Sequence, residues 1–182
     1  METKWVVRKQ DEQCVQSLAN SLQISTLMAR LLINRGYSSE QEARSYLNKT
    51  ETFLHDPYLM KGMKLAAERV ARAIRNQEKF VIFGDYDVDG VTSVSVLLRL
   101  FQSYDLHPSY IIPSRFDGGY GLTKSSIESI AKAGTTLLIT VDCGISAVDE
   151  VEYARSLGLD VVITDHHQCG LSLPNALAPI NT

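Results

Sequence analysis

The chain has 182 residues, of which 45% are hydrophobic and 21% charged, and its formal net charge is -3. That length holds one good-sized domain, or a domain with a helical appendage, and the composition is that of a soluble globular protein. No apolar run is long enough to span a bilayer, and the opening M-E-T-K-W-V-V-R-K-Q lacks the apolar stretch of a signal peptide, so no membrane association is expected.

Three cysteines, Cys14, Cys143 and Cys169, form no C-x-x-C pair. An odd, scattered set argues against a disulfide framework and for a reducing, cytoplasmic location. The charge is unevenly spread. Residues 1–80 carry 13 Lys and Arg against 9 Asp and Glu, whereas residues 81–182 carry 5 against 12. Acid is therefore concentrated in the second part, where bound divalent cations would offset it.

Residues 1–78 read as a helical segment. Val15, Leu18 and Leu22 share a helical face. Ser25 is placed to cap a helix carrying Leu27, Leu31 and Leu32, which Gly36 would end. Ser38 and Ser39 each have a Gln or Glu three residues on, a capping-box signature for a helix through Leu47. His55-Asp56-Pro57 breaks the pattern. Ala66, Val70, Ala73 and Ile74 then mark an amphipathic helix whose other face carries Arg69, Arg72 and Arg75, read as a solvated stripe.

From residue 79 the rhythm changes to alternating strands and helices. Strands are expected at 80–83, 110–112, 136–141 and 160–164. Helices are expected at 91–101, 123–133 and 147–157, the first apolar nearly all round and hence buried. This alternation predicts an α/β domain over 79–182 with a parallel sheet covered by helices on both faces.

The informative feature is where acids and imidazoles fall. Phe83 to Gly90 reads F-G-D-Y-D-V-D-G, with Asp85, Asp87 and Asp89 at alternate positions after a strand. Like charges this close are unfavourable unless a cation sits among them. Gly90 is read as a tight turn. The bland reading is a solvated acidic turn opening a helix. An EF-hand fails because the twelfth loop position is Val96 where a bidentate Glu is needed. Asp142 directly follows a second strand, and Asp165, His166 and His167 follow a third. In a parallel sheet all three groups emerge on one edge, where open α/β sheets place their sites. Carboxylates with imidazoles suit manganese or magnesium, less often zinc; a thiolate from Cys143 or Cys169 would not suit manganese. Two ions need a bridging carboxylate, and such a pair clamps a phosphoryl oxygen and generates hydroxide near neutral pH. The loop Ser114 to Leu122, S-R-F-D-G-G-Y-G-L, lies on the same edge. There Arg115 could pair with a phosphate, Gly119 permits close approach and Tyr120 could stack on a base.

These motifs resemble the DHH phosphoesterase superfamily, and within it the RecJ family of single-stranded-DNA exonucleases. The carriers are G-D-Y-D-V-D-G-V-T-S from Gly84, I-T-V-D-C-G-I-S around Asp142, V-I-T-D-H-H around Asp165 and P-S-R-F-D-G-G-Y-G-L from Pro113. Leu32 to Gly36 and Leu54 to Pro57 add to the likeness. The resemblance implies a manganese-dependent (or magnesium-dependent) two-ion nuclease that removes mononucleotides from 5′ ends of single-stranded DNA in repair and recombination, with a single-strand-binding protein or a helicase as a candidate partner. By motif, Asp85, Asp87, Asp89, Asp142 and His166 would ligate metal, with Asp142 bridging. Asp165 would support the site from behind, and His167 would contact the scissile phosphate. Asp142, His166 and His167 form the expected catalytic set. The family carries a further acidic ligand and a second domain downstream, so an incomplete, weakly active chain is expected. The alternatives are a phosphodiesterase for short oligonucleotides or cyclic dinucleotides, and a non-catalytic interaction domain of the same fold. A His four positions before a D-x-D marks the small-substrate branch; relative to Asp87 that position is Phe83, which favours the exonuclease branch.

Overall fold

The computed structural model describes residues 6, 9–48, 54–114 and 121–182. The chain divides into two compact units, Met1–His55 and Asp56–Thr182.

The first unit holds α1 (Glu12–Leu22), α2 (Thr26–Asn34) and α3 (Glu40–Leu47). Each starts where a short polar side chain satisfies an orphan N–H: Asp11 accepts from Gln13, Ser25 from Met28, and Ser39 from Glu42. Glu42 returns a bond to the Ser39 N–H, closing the capping box. Val15, Leu18, Ala19, Ala29, Leu32 and Ala43 form the core of this unit. Leu27 and Leu31, expected beside Leu32, are exposed instead, because α2 turns Ala29 and Leu32 inward.

The second unit is built on five parallel strands: β1 (Phe80–Gly84), β2 (Ser109–Ile111), β3 (Leu137–Val141), β4 (Asp160–Asp165) and β5 (Ala178–Asn181). Their order is β2-β1-β3-β4-β5. Strand order reverses between β1 and β3, so a crevice forms outside their carboxyl ends. The helices are α4 (Met63–Arg75), α5 (Val88–Gln102), α6 (Lys124–Lys132) and α7 (Val148–Ser156). Alternation along the strands feeds two cores. Val81, Phe83, Leu138, Val161 and Ile163 pack with Ile127, Ile130, Val151 and Ala154 of α6 and α7. Phe80, Ile82, Leu137, Ile139, Val141 and Val162 pack with Ala66 and Ala73 of α4 and Val94 and Phe101 of α5. Burial on both faces explains why these strands read as unbroken apolar runs.

Four expectations need correction. First, α4 was grouped with the N-terminal helices, yet it packs on the sheet within the second unit. Second, α5 begins at Val88, capped by Asp87, and is not buried all round: Val94 and Phe101 face the sheet while Val88, Val96 and Leu100 are exposed. Third, a fifth strand, β5, joins the four expected. Its Pro179 is tolerated because β5 is an edge strand. Fourth, Arg69 is not on a solvated stripe. It is 5% exposed, donates from Nη2 to Glu78 Oε2 at 2.7 Å and from Nε to Asp160 Oδ2, and ties α4 to the starts of β1 and β4. Burial opposes its charge, but Asp160 and Glu78 outweigh that and hold its pKa above the ordinary value. Hydrogen bonds from Thr136 and Arg69 hold the Glu78 carboxyl below its usual range. Arg72, by contrast, reaches Asp160 from an exposed position at 3.2 Å. Among the described residues no helix is long and apolar enough to cross a membrane.

Arg69→Ala is expected to cost about 2–4 kcal/mol, since it strips two charge-assisted hydrogen bonds from a buried clamp. Arg72→Ala should cost less than about 1 kcal/mol. A folded carboxyl held below its unfolded pKa stabilises above the unfolded value and loses that contribution as pH falls through the folded one. The gap between the chain and Arg69→Ala, read by urea denaturation, should therefore be full near pH 7 and shrink below about pH 4.5.

Candidate metal centre

Gly84 pairs with Val141, and Val141 with Thr164, so β1, β3 and β4 end in register. The next residue on each strand is Asp85, Asp142 and Asp165, and all three are buried. One rim thus gathers three carboxylates from segments far apart in sequence. Asp142 also adopts a left-handed backbone, φ 60°, which costs energy for a side-chain-bearing residue and turns the chain sharply off β3.

The surroundings sort these acids into two kinds. Asp165 is saturated with donors. Its Oδ2 accepts from the Ile145 N–H at 3.0 Å; its Oδ1 accepts from the N–H groups of His166 and His167 at 2.7 and 3.0 Å and contacts His167 Nδ1 at 2.8 Å. Burial resists its ionisation, but these donors prevail and keep its pKa low. Asp165 in turn raises the pKa of His167 and fixes the ring by one nitrogen. Asp87 is similarly settled: it caps α5, accepting from the N–H groups of Asp89 and Gly90, and the Gly90 bond lowers its pKa.

Asp85 and Asp142 are different. Asp85 Oδ1 and Asp142 Oδ2 are buried and have no hydrogen-bond partner among the described residues. Asp142 Oδ1 meets His166 Nε2 at 2.9 Å. Burial, and then the charge of Asp87, push the Asp142 carboxyl above its ordinary pKa. Buried anionic oxygens without donors are costly, and a cation between them removes the cost. Ligand atoms of Asp85, Asp87 and Asp142 lie within 4.8 Å of one another, and so do those of Asp142, His166 and His167. Asp142 belongs to both groups. The donor set fits hard or borderline divalent ions such as manganese.

The expected ligands Asp85, Asp87, Asp142 and His166 are thus brought together, and His167 joins them. Asp89 lies in neither group. It is exposed in the first turn of α5 and lines a cavity of about 360 Å³ with Thr92, Ser93, Asp142, Thr164 and His166. Arg115, Gly119 and Tyr120, expected to bind substrate, lie outside the described residues. Cys143 is buried, with Sγ 3.9 Å from the Phe83 carbonyl; burial with nearby carboxylates pushes its pKa up, and it belongs to neither ligand group. Gly90 does not make the turn expected of it. It sits inside α5, where a Cβ would stand 2.3 Å from the Asp85 carbonyl oxygen; its role is to let the helix approach the strand end.

Sequence reading missed the supports. Asn181, on β5, donates from Nδ2 to the His167 carbonyl at 3.2 Å and so anchors the D-H-H turn from the neighbouring strand. The Ile145 N–H could have been suspected only by knowing that the turn after Asp142 folds back towards β4.

A family model described as "DHH family, N-terminal domain" matches residues 79–182. The single-stranded-DNA-specific exonuclease RecJ of Bacillus subtilis is 45% identical over 178 residues, 98% of this chain and 23% of the relative. That of Escherichia coli is 36% identical over 160 residues, 87% of this chain and 27% of the relative. A crystal structure of exonuclease RecJ bound to manganese superposes with TM-score 0.62 at 31% identity, over 67% of this chain and 31% of that one. RecJ of Thermus thermophilus in complex with Mn2+ shares the fold at TM-score 0.71 and 24% identity, over 94% of this chain and 24% of that one. The chain spans about a quarter of the length of the curated relatives it matches.

Asp142→Asn is expected to stabilise the metal-free chain by about 1 kcal/mol, because an amide is cheaper to bury and Asn tolerates the left-handed backbone. Manganese is expected to raise the melting temperature of the unaltered chain, and the same variant should lose that rise, read by differential scanning fluorimetry. Asp165→Asn keeps every ligand but loosens the His166–His167 turn, and should weaken manganese binding about 10- to 100-fold by calorimetric titration.

Proposed function

The chain belongs to the DHH family, and from that premise we propose that it carries the metal centre of a manganese-dependent exonuclease acting on single-stranded DNA from the 5′ end. The observation that supports this reading best is the pair of overlapping ligand groups hinged on Asp142, with two of their buried oxygens lacking a donor. The printed descriptions of the relatives, single-strand-specific exonucleases and manganese-bound structures, point the same way.

In this reading Asp85 and Asp87 would hold one ion and His166 a second, with Asp142, which belongs to both groups, shared between them. Such ions supply Lewis acidity at a phosphoryl oxygen and a hydroxide near neutral pH. Asp89, on the rim of the adjoining cavity, is retained as a ligand that would act by turning inward. The 2.9 Å approach of His166 Nε2 to Asp142 Oδ1 leaves both atoms able to serve as ligands of one ion. His167, held at Nδ1 by Asp165, offers its other nitrogen side to the scissile phosphate, and Arg115, Gly119 and Tyr120 contact the strand. The catalytic set is Asp142, His166 and His167. The activity belongs to DNA repair and recombination in the cytoplasm, where a single-strand-binding protein or helicase presents the strand.

The test is release of mononucleotides from 5′-labelled single strands, with duplex and a cyclic dinucleotide as competing substrates, with and without manganese. Slow, manganese-dependent release from the single strand is expected, reduced at least about 100-fold by Asp142→Asn. Faster hydrolysis of the cyclic dinucleotide would replace this reading with the small-substrate one; no hydrolysis of any substrate under any metal would leave the non-catalytic domain.

A further inference from the structure

The cations of the second unit are clustered. Five of its ten described Lys and Arg residues lie between positions 61 and 75, whereas the rim around Asp142 is acidic. Arg69 turns inward to its clamp, but Lys61, Lys64, Arg72 and Arg75 are exposed. Arg75 forms no ion pair among the described residues, and Lys64 meets Glu68 only at 4.0 Å.

These side chains border a groove. Tyr58, Lys64, Ala67, Glu68, Ala71 and Arg75 line a cavity of about 440 Å³ on the outer side of α4. Residues 64, 67, 68, 71 and 75 share one helical face, so the two alanines form a low floor between long cationic side chains. The face from Lys64 to Arg75 runs roughly 16 Å, enough to lie beside several phosphates. Tyr58 stands at one end, 60% exposed, on the short 3-10 turn Pro57–Leu59 that Asp56 caps. The start of α4 abuts β5: a Cβ on Gly62 would stand 3.3 Å from the Pro179 carbonyl oxygen. That end of the groove therefore opens toward the carboxyl rim of the sheet, and Arg75 marks the other end.

We propose that this face of α4 is an auxiliary binding surface for single-stranded DNA, with Lys64 and Arg75 on phosphates and a base stacked on Tyr58. The inference rests on the exonuclease reading for the class of its ligand. An exposed aromatic ring beside cations is the combination that holds single strands without reading their sequence. A purely apolar peptide would leave the cations unpaired, and an acidic peptide would not use the ring.

The test is fluorescence anisotropy of a labelled oligothymidylate titrated with the whole chain in EDTA, where the metal ligands are silent. Lys64→Ala with Arg75→Ala should weaken binding about tenfold or more and flatten the slope of log affinity against log salt by about 1.4, the loss of two single-strand phosphate contacts. Tyr58→Ala should weaken it about tenfold. Glu68→Gln, which removes a like charge, should tighten it about twofold. Unchanged affinity and slope in the double variant, or tighter binding of a polyglutamate peptide than of the oligonucleotide, would overturn the proposal. Manganese-dependent cleavage is scored separately. Cleavage with an unaltered double variant removes only the groove; α4-dependent binding without cleavage removes only the exonuclease.

Discussion

The structure depends on one constraint, the in-register ending of β1, β3 and β4. Because Gly84, Val141 and Thr164 lie side by side, Asp85, Asp142 and Asp165 must share a rim. Strands in a sheet stand about 4.8 Å apart, so three carboxylates there repel strongly unless each is compensated. Asp165 is compensated by backbone N–H groups and an imidazole. Asp85 and Asp142 are each left with an oxygen to which nothing among the described residues donates. The fold thus fixes where anionic charge is already neutralised and where it awaits a cation. Burial raises the Asp142 pKa because the charge has too little solvation of its own, the condition in which a carboxylate gains most from a nearby cation.

The opposite rim carries the same problem with a different solution. Asp160 at the start of β4 and Glu78 before β1 meet Arg69, a cation the chain supplies itself. That clamp closes the amino rim and fastens α4 to the sheet. Asp160 and Glu78 at the amino ends are thus compensated within the fold, whereas of the three acids at the carboxyl ends only Asp165 is. Open parallel sheets form their crevices at carboxyl ends.

What was legible in the sequence was local. An apolar run followed at once by Asp marks a strand end, and three such ends gave Asp85, Asp142 and Asp165 their common edge. The parallel sheet followed from alternation alone. Long-range pairing was not legible. Arg69 looks like its neighbours Arg72 and Arg75 until Asp160, 91 residues on, is placed beside it. The helix after the acidic cluster was read as buried because apolar content gives no direction; the fold turns Val94 inward and leaves Val96 out. Strand β5 was hidden by Pro179, which only an edge position admits, and with it went Asn181, the anchor of the D-H-H turn. Asp89 shares the spacing of Asp85 and Asp87, but Asp87 caps α5, and Asp89, already inside the helix, is exposed and belongs to neither ligand group.

The uneven charge of the chain follows from these two rims. An acidic second half would repel a polyanionic strand if its field reached far, but at physiological ionic strength it decays over about 8 Å. A five-residue strand spans roughly 17 Å, so the two rims of this sheet are separated by about two screening lengths. The carboxylates around Asp142 and the cations at the far end of α4 therefore act almost independently. The acids around Asp142 need local compensation, whereas Arg75 at the far end of α4 lies beyond most of their field. Screening in this way divides the surface into patches smaller than the fold, an acidic one around Asp142 and a cationic one at the end of α4.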